Sequence, residues 1–206
     1  VAAAAGYAAI FGWSCWPWIA QMRTAFAAGN SPVDSRLITW ILDWVAHALR
    51  TAPASVFDGP MSYPAPARLT GSESLLSSGL LLIPFFSLTR NAVRAVNAGA
   101  LLAYPAGALA MERLLTALGA GAAVAFVGGL VYATGPIFSP ASVQIYQFLP
   151  FYPPLVCLLL LRLRERPSAG RAACLTFGLG FAATSSYYMA LFAGLTALAW
   201  GAVELA

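Results

Sequence analysis

Long apolar runs separated by short polar turns recur along most of this chain. A helix needs roughly 20 mostly apolar residues to cross the hydrocarbon layer of a membrane, because each residue advances it by about 1.5 Å. Six runs reach or approach that length: 2–21, 95–113, 116–136, 148–163, 172–186 and 187–205. We therefore predict an all-α fold, a polytopic transmembrane helical bundle of about six spans in one domain over residues 1–206.

Composition supports the membrane interpretation and argues against a nucleic-acid partner. Hydrophobic residues make up 60% of the chain and charged residues only 9%, against roughly 25% charged residues in a typical soluble protein. The net charge is +4. The chain has no lysine, and its arginines are spread over short turns. Dispersed positive charge suits membrane orientation, whereas nucleic-acid binding needs a clustered basic face.

One polar interruption follows the first apolar run and concentrates the ionisable residues. Residues 22–73 hold four of the seven acids and the only histidine, namely Asp34, Asp43, His47, Asp58 and Glu73. A chain that has so few charges and places them in one loop is expected to carry out its chemistry there.

The distribution of arginine predicts which side of the membrane this loop occupies. The most basic turn, residues 162–171, is placed in the cytoplasm by the positive-inside rule. Counting spans back from this turn leaves two arrangements, which differ in whether residues 74–89 cross the membrane. If this juxtamembrane or short membrane helix crosses, the loop 22–73 lies in the cytoplasm, and if it does not cross, the loop lies outside. Because this apolar segment is short and carries Pro84, we expect it not to cross, which makes 22–73 the first extracytoplasmic loop.

Within the loop, residues 34–50 show the periodicity of an amphipathic helix. Trp40, Trp44 and His47 fall at i, i+4 and i+7 on one face. Asp34 follows a proline, where a carboxylate can cap the start of a helix. We expect this helix to lie in the membrane interface with its tryptophans at headgroup depth.

Two carboxylates of the loop are candidate catalytic groups. Asp34 either caps its helix or acts as a general base toward an incoming hydroxyl group at the membrane surface. Glu73 lies at the start of an apolar run. It either stabilises a helix N-terminus electrostatically or faces the same cleft as a second carboxylate.

Other polar residues are candidates for binding a substrate: Arg36, Asp43, His47, Tyr63, Arg90, Gln144 and Gln147. Asp43 and His47 are four residues apart and either hydrogen-bond or form a solvated helix edge. Arg36 and Arg90 either contact an anionic group such as a lipid phosphate or simply extend to the headgroups. We expect no cofactor and no zinc site, because one histidine and cysteines within apolar runs fall short of a ligand set.

Several short motifs follow one another along the chain: Val33-Asp34-Ser35-Arg36, Trp40-x-x-x-Trp44-x-x-His47, Tyr63-Pro64, Ser72-Glu73-x-Leu75-Leu76, Ser139-Pro140 and Ser185-Ser186-Tyr187-Tyr188. In this order they resemble the N-terminal half of bacterial membrane glycosyltransferases of the GT-C superfamily, related to the protein-mannosyltransferase and aminoarabinose-transferase group. The resemblance covers nearly all of the chain, and we expect the chain to be the N-terminal part of a longer protein.

The resemblance implies an inverting glycosyltransferase that moves a sugar from a polyprenyl-phosphate donor to an envelope glycan, lipid or protein. It implies a multi-pass protein of the bacterial cytoplasmic (inner) membrane, in contact with membrane lipids, whose active loop lies outside the cytoplasm. Asp34 would be the base, with Glu73 and His47 positioning acceptor or phosphate, and Arg36 or Arg90 on the phosphate.

One departure from the family pattern bears on metal binding. Related enzymes often carry an acid in the second outer loop, where this chain has Gln144 and Gln147. A divalent metal shared between the two loops is therefore unsupported. Two alternatives to the enzyme are a flippase or transporter of lipid-linked glycans and a noncatalytic membrane subunit.

Overall fold

A computed structural model of the chain describes residues 2–25, 32–60, 68–135 and 149–205. Within those ranges it contains nine α-helices: α1 Ala2–Ser14, α2 Trp16–Ile19, α3 Pro32–Thr51, α4 Leu76–Thr89, α5 Ala92–Ala117, α6 Ala122–Ala133, α7 Tyr152–Glu165, α8 Ala169–Ala183 and α9 Tyr187–Leu205. Two short 3₁₀ turns, Pro53–Ser55 and Arg68–Gly71, complete these elements. The helical part of the prediction is confirmed for these four ranges, which contain no strand.

The prediction of a polytopic transmembrane bundle is wrong. Across the four described ranges, no helix is both long enough and apolar enough to cross a membrane. Helices α6, α7 and α8 have 12, 14 and 15 residues, which gives lengths of about 18 to 23 Å against a hydrocarbon layer of about 30 Å. The run 116–136 is broken by a turn at Gly119, whose φ is +94°. Helix α5 is longer but carries Arg94, Asn97 and Glu112.

Helix α5 lies at the centre of the packing. It contacts α1, α3, α4, α6 and α7. Helix α1 runs antiparallel to it. The Phe11 ring stacks on Tyr104, whereas Tyr7 lies near Ala108, since a Cβ at Gly129 would meet both the Tyr7 ring and the Ala108 backbone oxygen. The Tyr7 ring also stacks on Phe126 of α6. These rings belong to the main hydrophobic cluster, in which Tyr7 and Tyr104 are fully buried.

Helix α3 confirms the helix predicted over residues 34–50, extended by two residues at its start and one at its end. Its apolar face, which includes Ile41, Leu42 and Val45, is fully buried. An amphipathic helix of this kind is stabilised mainly by packing that face against neighbouring elements rather than by intrinsic propensity.

Helices α3 and α4 pack side by side in parallel. Val45 of α3 meets Gly79 of α4 so closely that a Cβ at Gly79 would overlap the valine side chain. Further along both helices, Arg50 Nη1 donates to Ser87 Oγ at 3.1 Å. Because the contacts advance in the same direction on both helices, their N-termini lie at the same end of the pair.

Candidate functional site

Asp34 lies on the helical face of α3 that, further along the helix, packs against α4. Asp34 is in the first turn of α3 and is exposed, so it belongs to the helix rather than preceding it as a cap. It precedes Val45 by about three helical turns, which places the two residues on the same face. Val45 packs on Gly79, three residues after α4 begins. Asp34 lies about 16 Å before Val45 along α3, so it lies beyond the start of α4.

The other polar residues of α3 form a separate stripe. Arg36, Asp43 and His47 are all exposed, and their spacing of seven and four residues aligns them along one face. That face is about 160° around the helix axis from Asp34. Within the described ranges no hydrogen bond joins Asp43 to His47. The structure therefore separates Asp34 from the three polar residues predicted to act with it.

The tryptophans next to this stripe, Trp40 and Trp44, are partly buried by the protein itself. Trp44 Nε1 donates to the backbone oxygen of Val56 at 2.8 Å. A Cβ at Gly59 would come within 3.2 Å of Trp44 and 3.3 Å of Trp40, so the segment after α3 folds back onto both rings. His47 lies beside Trp44, with their ring centroids 6.4 Å apart.

Glu73 lies immediately before α4 and contacts a different helix, α9. Its Oε2 accepts a hydrogen bond of 3.1 Å from the backbone N–H of Tyr187, the first residue of α9. The Tyr187 hydroxyl in turn donates to the backbone oxygen of Thr70 at 3.1 Å. A carboxylate at a helix N-terminus satisfies an open donor and interacts favourably with the helix dipole.

The segment around Glu73 is joined to the α8–α9 turn by further hydrogen bonds. The backbone oxygen of Thr184 accepts from the Leu76 N–H at 2.8 Å and from the Ser74 hydroxyl at 3.3 Å. Ser78 Oγ and Ser185 Oγ are 3.0 Å apart and both are buried. The motifs Ser72-Glu73 and Ser185–Tyr188, more than a hundred residues apart in sequence, thus meet in space.

A buried tyrosine extends this polar junction toward α7. The Tyr152 hydroxyl lies 3.1 Å from Ser77 Oγ, and both side chains are almost fully buried. Burial raises the pKa of Tyr152, and the hydrogen bond with Ser77 opposes that rise only in part. The tyrosine is therefore a neutral hydrogen-bonding group, and it brings the N-terminus of α7 to the same junction as those of α4 and α9.

An apolar cavity of about 240 Å³ lies between α4 and α5. Along α4 its lining runs from Ser78 to Phe85, and the exposed side chains of Leu81 and Leu102 form part of the rim. The Ser78 end is the one closest to Glu73 along the chain. The cavity therefore offers an apolar space that begins at the polar junction and leads away from it.

Arg90 lies at the opposite end of α4 from Glu73. It follows the last residue of a helix of 14 residues, which separates it from the Leu76 end by about 20 Å. The structure therefore does not bring Arg90 together with Asp34 and Glu73. Arg36 is also turned away, because it belongs to the stripe on the other face of α3.

Three candidate binding residues and the question of a metal site remain. Tyr63, Gln144 and Gln147 lie outside the described residues. Among the residues that are described, no three His, Cys, Asp or Glu side chains are grouped as ligands for a metal ion.

Sequence reasoning missed Ser77, Ser78 and Tyr152. A pair of serines inside the apolar run of α4 could have predicted a buried polar contact, because buried hydroxyl groups need hydrogen-bond partners. The identity of those partners was not predictable, since they come from helices far along the chain.

No protein-family model, curated protein or solved structure matches this chain. The resemblance to the GT-C glycosyltransferases therefore rests on the sequence motifs alone.

Proposed function

We propose that this chain carries the base of a glycosyltransferase that moves a sugar from a polyprenyl-phosphate donor to a cell-envelope acceptor. The proposal places the reaction at the outer face of the bacterial cytoplasmic membrane, where such a donor presents its phosphosugar. Asp34 is the proposed base.

One observation carries the proposal. The parallel packing of α3 and α4 directs the N-terminal ends of both helices the same way, with Asp34 in the first turn of α3 and Glu73 three residues before α4 begins. The apolar cavity begins at that end with Ser78. A lipid-linked donor needs an apolar space for its isoprenoid chain and a polar site at the reacting sugar, and this end of the molecule offers both.

The chemistry requires one proton acceptor. As the acceptor oxygen forms its bond to the anomeric carbon, the bond from that carbon to the phosphate oxygen breaks and the phosphate leaves. The acceptor proton passes to the Asp34 carboxylate. Attack from the face opposite the phosphate inverts the configuration of the sugar.

Glu73 has a supporting role in this proposal. One of its oxygens is engaged by the first backbone N–H of α9, so it holds the start of α9 against the segment before α4. Its other oxygen can accept a hydrogen bond from an acceptor hydroxyl group. The observed contact therefore favours a positioning residue over a second base.

Envelope glycans from a host that lacks the gene test the proposal. The host is complemented with the wild-type chain in its full-length protein, with Asp34→Asn, or with Asp43→Asn, all at matched abundance. Asp43 is a matched control because it is an exposed aspartate of the same helix on a different face. Loss of a general base typically lowers the rate by roughly 10²–10⁴-fold.

Mass spectrometry of the glycans should show a sugar restored by the wild type and by Asp43→Asn but lost with Asp34→Asn. Equal restoration by both variants would remove the catalytic role of Asp34. A noncatalytic subunit, which the structural bond of Glu73 also fits, would then be the better account.

A further inference from the structure

The corner between α4 and α5 gathers arginines from separate parts of the chain. Arg90 is the residue that ends α4, and Arg94 lies in the first turn of α5, where its backbone N–H is capped by the Asn91 side chain at 2.7 Å. Arg50, in the last turn of α3, reaches the same corner through its hydrogen bond to Ser87, three residues before Arg90.

A fourth arginine is brought to this corner by α5. The Asn97 side chain donates to the backbone oxygens of Met22 and Ala25, at 3.0 and 2.8 Å. These two residues flank Arg23, which is thereby held beside the first turns of α5. We call Arg23, Arg50, Arg90 and Arg94 the arginine corner.

The charge of the arginine corner is directed to solvent and is not neutralised by neighbouring acids. All four arginines are exposed. In the described part of the chain none of them forms an ion pair with a carboxylate. The N-terminus of α5 contributes the positive end of its dipole, and the C-terminal ends of α3 and α4 at the same corner oppose it, so the attraction for anions comes from the arginines.

An apolar side chain projects from the same corner. Leu88, two residues before Arg90, is 84% exposed. Arginines attract the anionic headgroups of phospholipids, and an apolar residue among them can enter the boundary between headgroups and acyl chains. A nucleic acid or a free phosphate ion would use the charges but would gain nothing from Leu88.

We propose that the arginine corner docks on an anionic phospholipid surface, with Leu88 entering its headgroup layer. This surface lies about 20 Å along α4 from Glu73, so it is separate from the proposed sugar-transfer site. The inference stands whether or not the chain transfers a sugar.

The backbone at Arg90 has a conformation that an arginine adopts at a cost. Its φ of 50° lies in the left-handed region, where glycine is the usual residue after a helix. An exposed arginine at this position keeps a charge at some cost in stability, and strain of this kind is common at binding sites.

Flotation with phospholipid vesicles tests the proposal. The purified chain is mixed with vesicles rich in phosphatidylglycerol or made of phosphatidylcholine alone. The double variant Arg90→Gln with Arg94→Gln is compared with a control double variant, Arg113→Gln with Arg166→Gln. Both lower the net charge equally, and Arg113 and Arg166 are exposed residues outside the corner.

The wild type should float with the phosphatidylglycerol vesicles and lose that binding as salt rises. The corner variant should bind roughly 30-fold more weakly and the control nearly as the wild type. Leu88→Ser should weaken binding while leaving its dependence on salt unchanged.

Three results would overturn the proposal. Equal loss in the two double variants would mean that only net charge matters. Equal binding to both kinds of vesicle would exclude recognition of anionic lipid. Displacement from vesicles by inorganic phosphate, at ionic strength held constant with chloride, would assign the corner to a free phosphate ion instead.

Discussion

At the scale of single residues, Glu73 shows how a carboxylate acquires a role that its neighbours in sequence do not reveal. Its position before α4 suggested that it would stabilise that helix. Instead, its Oε2 accepts a hydrogen bond from the first N–H of α9. This contact is of the kind that one of the two alternatives for Glu73 described, a carboxylate at a helix N-terminus, but the helix lies more than a hundred residues away in sequence.

Replacing Glu73 separates its capping role from its charge. Glu73→Ala should lower the free energy of unfolding by about 1 kcal/mol, the usual cost of a lost helix cap. Glu73→Gln should lower it less, because the amide oxygen can still accept from the Tyr187 N–H. Urea denaturation of both variants measures the difference.

Asp43→Ala is the control for this pair, since an exposed side chain away from such contacts usually changes stability by less than about 0.5 kcal/mol. If Glu73→Ala were as stable as the wild type, the contact with α9 would not stabilise the fold.

At the scale of elements, the parallel pairing of α3 and α4 depends on how closely the two helices approach each other. A glycine at position 79 permits that approach, because a Cβ there would overlap Val45. The Val45 side chain that this Cβ would meet is fully buried, so the side chain has little room to move away. The parallel packing of α3 on α4 therefore rests on Gly79.

Gly79→Ala should lower the free energy of unfolding by about 1 to 3 kcal/mol, the usual cost of overpacking. Gly12→Ala is a matched control: it is also a helical glycine, but no described atom lies within 4 Å of a Cβ placed there. That control should raise stability by about 0.5 to 1 kcal/mol through helix propensity. Thermal or urea unfolding distinguishes the two, and similar effects at both positions would contradict the close packing.

Local patterns predicted some elements well and others poorly. The 3.6-residue periodicity between Asp34 and Arg50 identified α3, because one face of that helix packs on the core. Hydropathy of the run 116–136 was misread as one span, because an average over a window does not register a turn at a glycine such as Gly119. The meeting of Glu73 with Tyr187 was beyond any local pattern, since only tertiary packing brings them together.

At the scale of the whole molecule, buried tyrosines link stability to alkaline pH. Burial raises the pKa of Tyr104 and of Tyr152 above the ordinary value of 10.0. The folded state keeps both hydroxyls protonated, whereas the unfolded chain loses those protons once the pH passes 10. The resulting stability is complete below pH 10 and is lost as the pH rises toward the folded-state values.

Each such tyrosine should remove roughly 1.4 kcal/mol of stability per pH unit above 10. Urea denaturation at a series of alkaline pH values, with tyrosinate absorbance recorded in parallel, measures this slope. Tyr152→Phe should be less stable at neutral pH, because Ser77 loses its partner, but should show a shallower slope. A stability that did not change above pH 10 would contradict the burial of these hydroxyl groups.

The molecule as a whole has two distinct polar ends along α4. One holds Asp34, Glu73 and the buried serines, and the other holds the arginine corner. The sequence-based prediction combined Arg90 with the two carboxylates in one site, because the resemblance implied a phosphate contact for it on the same side of the membrane. The length of α4 separates them and gives them different proposed partners, a lipid-linked sugar and a lipid surface.

The most direct test of the proposed function is sugar transfer by the purified full-length protein from polyprenyl-phosphate sugar donors extracted from envelope membranes. Transfer is followed as donor loss and product formation for the wild type, Asp34→Asn and Asp43→Asn. The proposal expects transfer by the wild type and Asp43→Asn, and a loss of roughly 10²–10⁴-fold with Asp34→Asn. Transfer at the wild-type rate by a folded Asp34→Asn protein would contradict the role of Asp34 as the base.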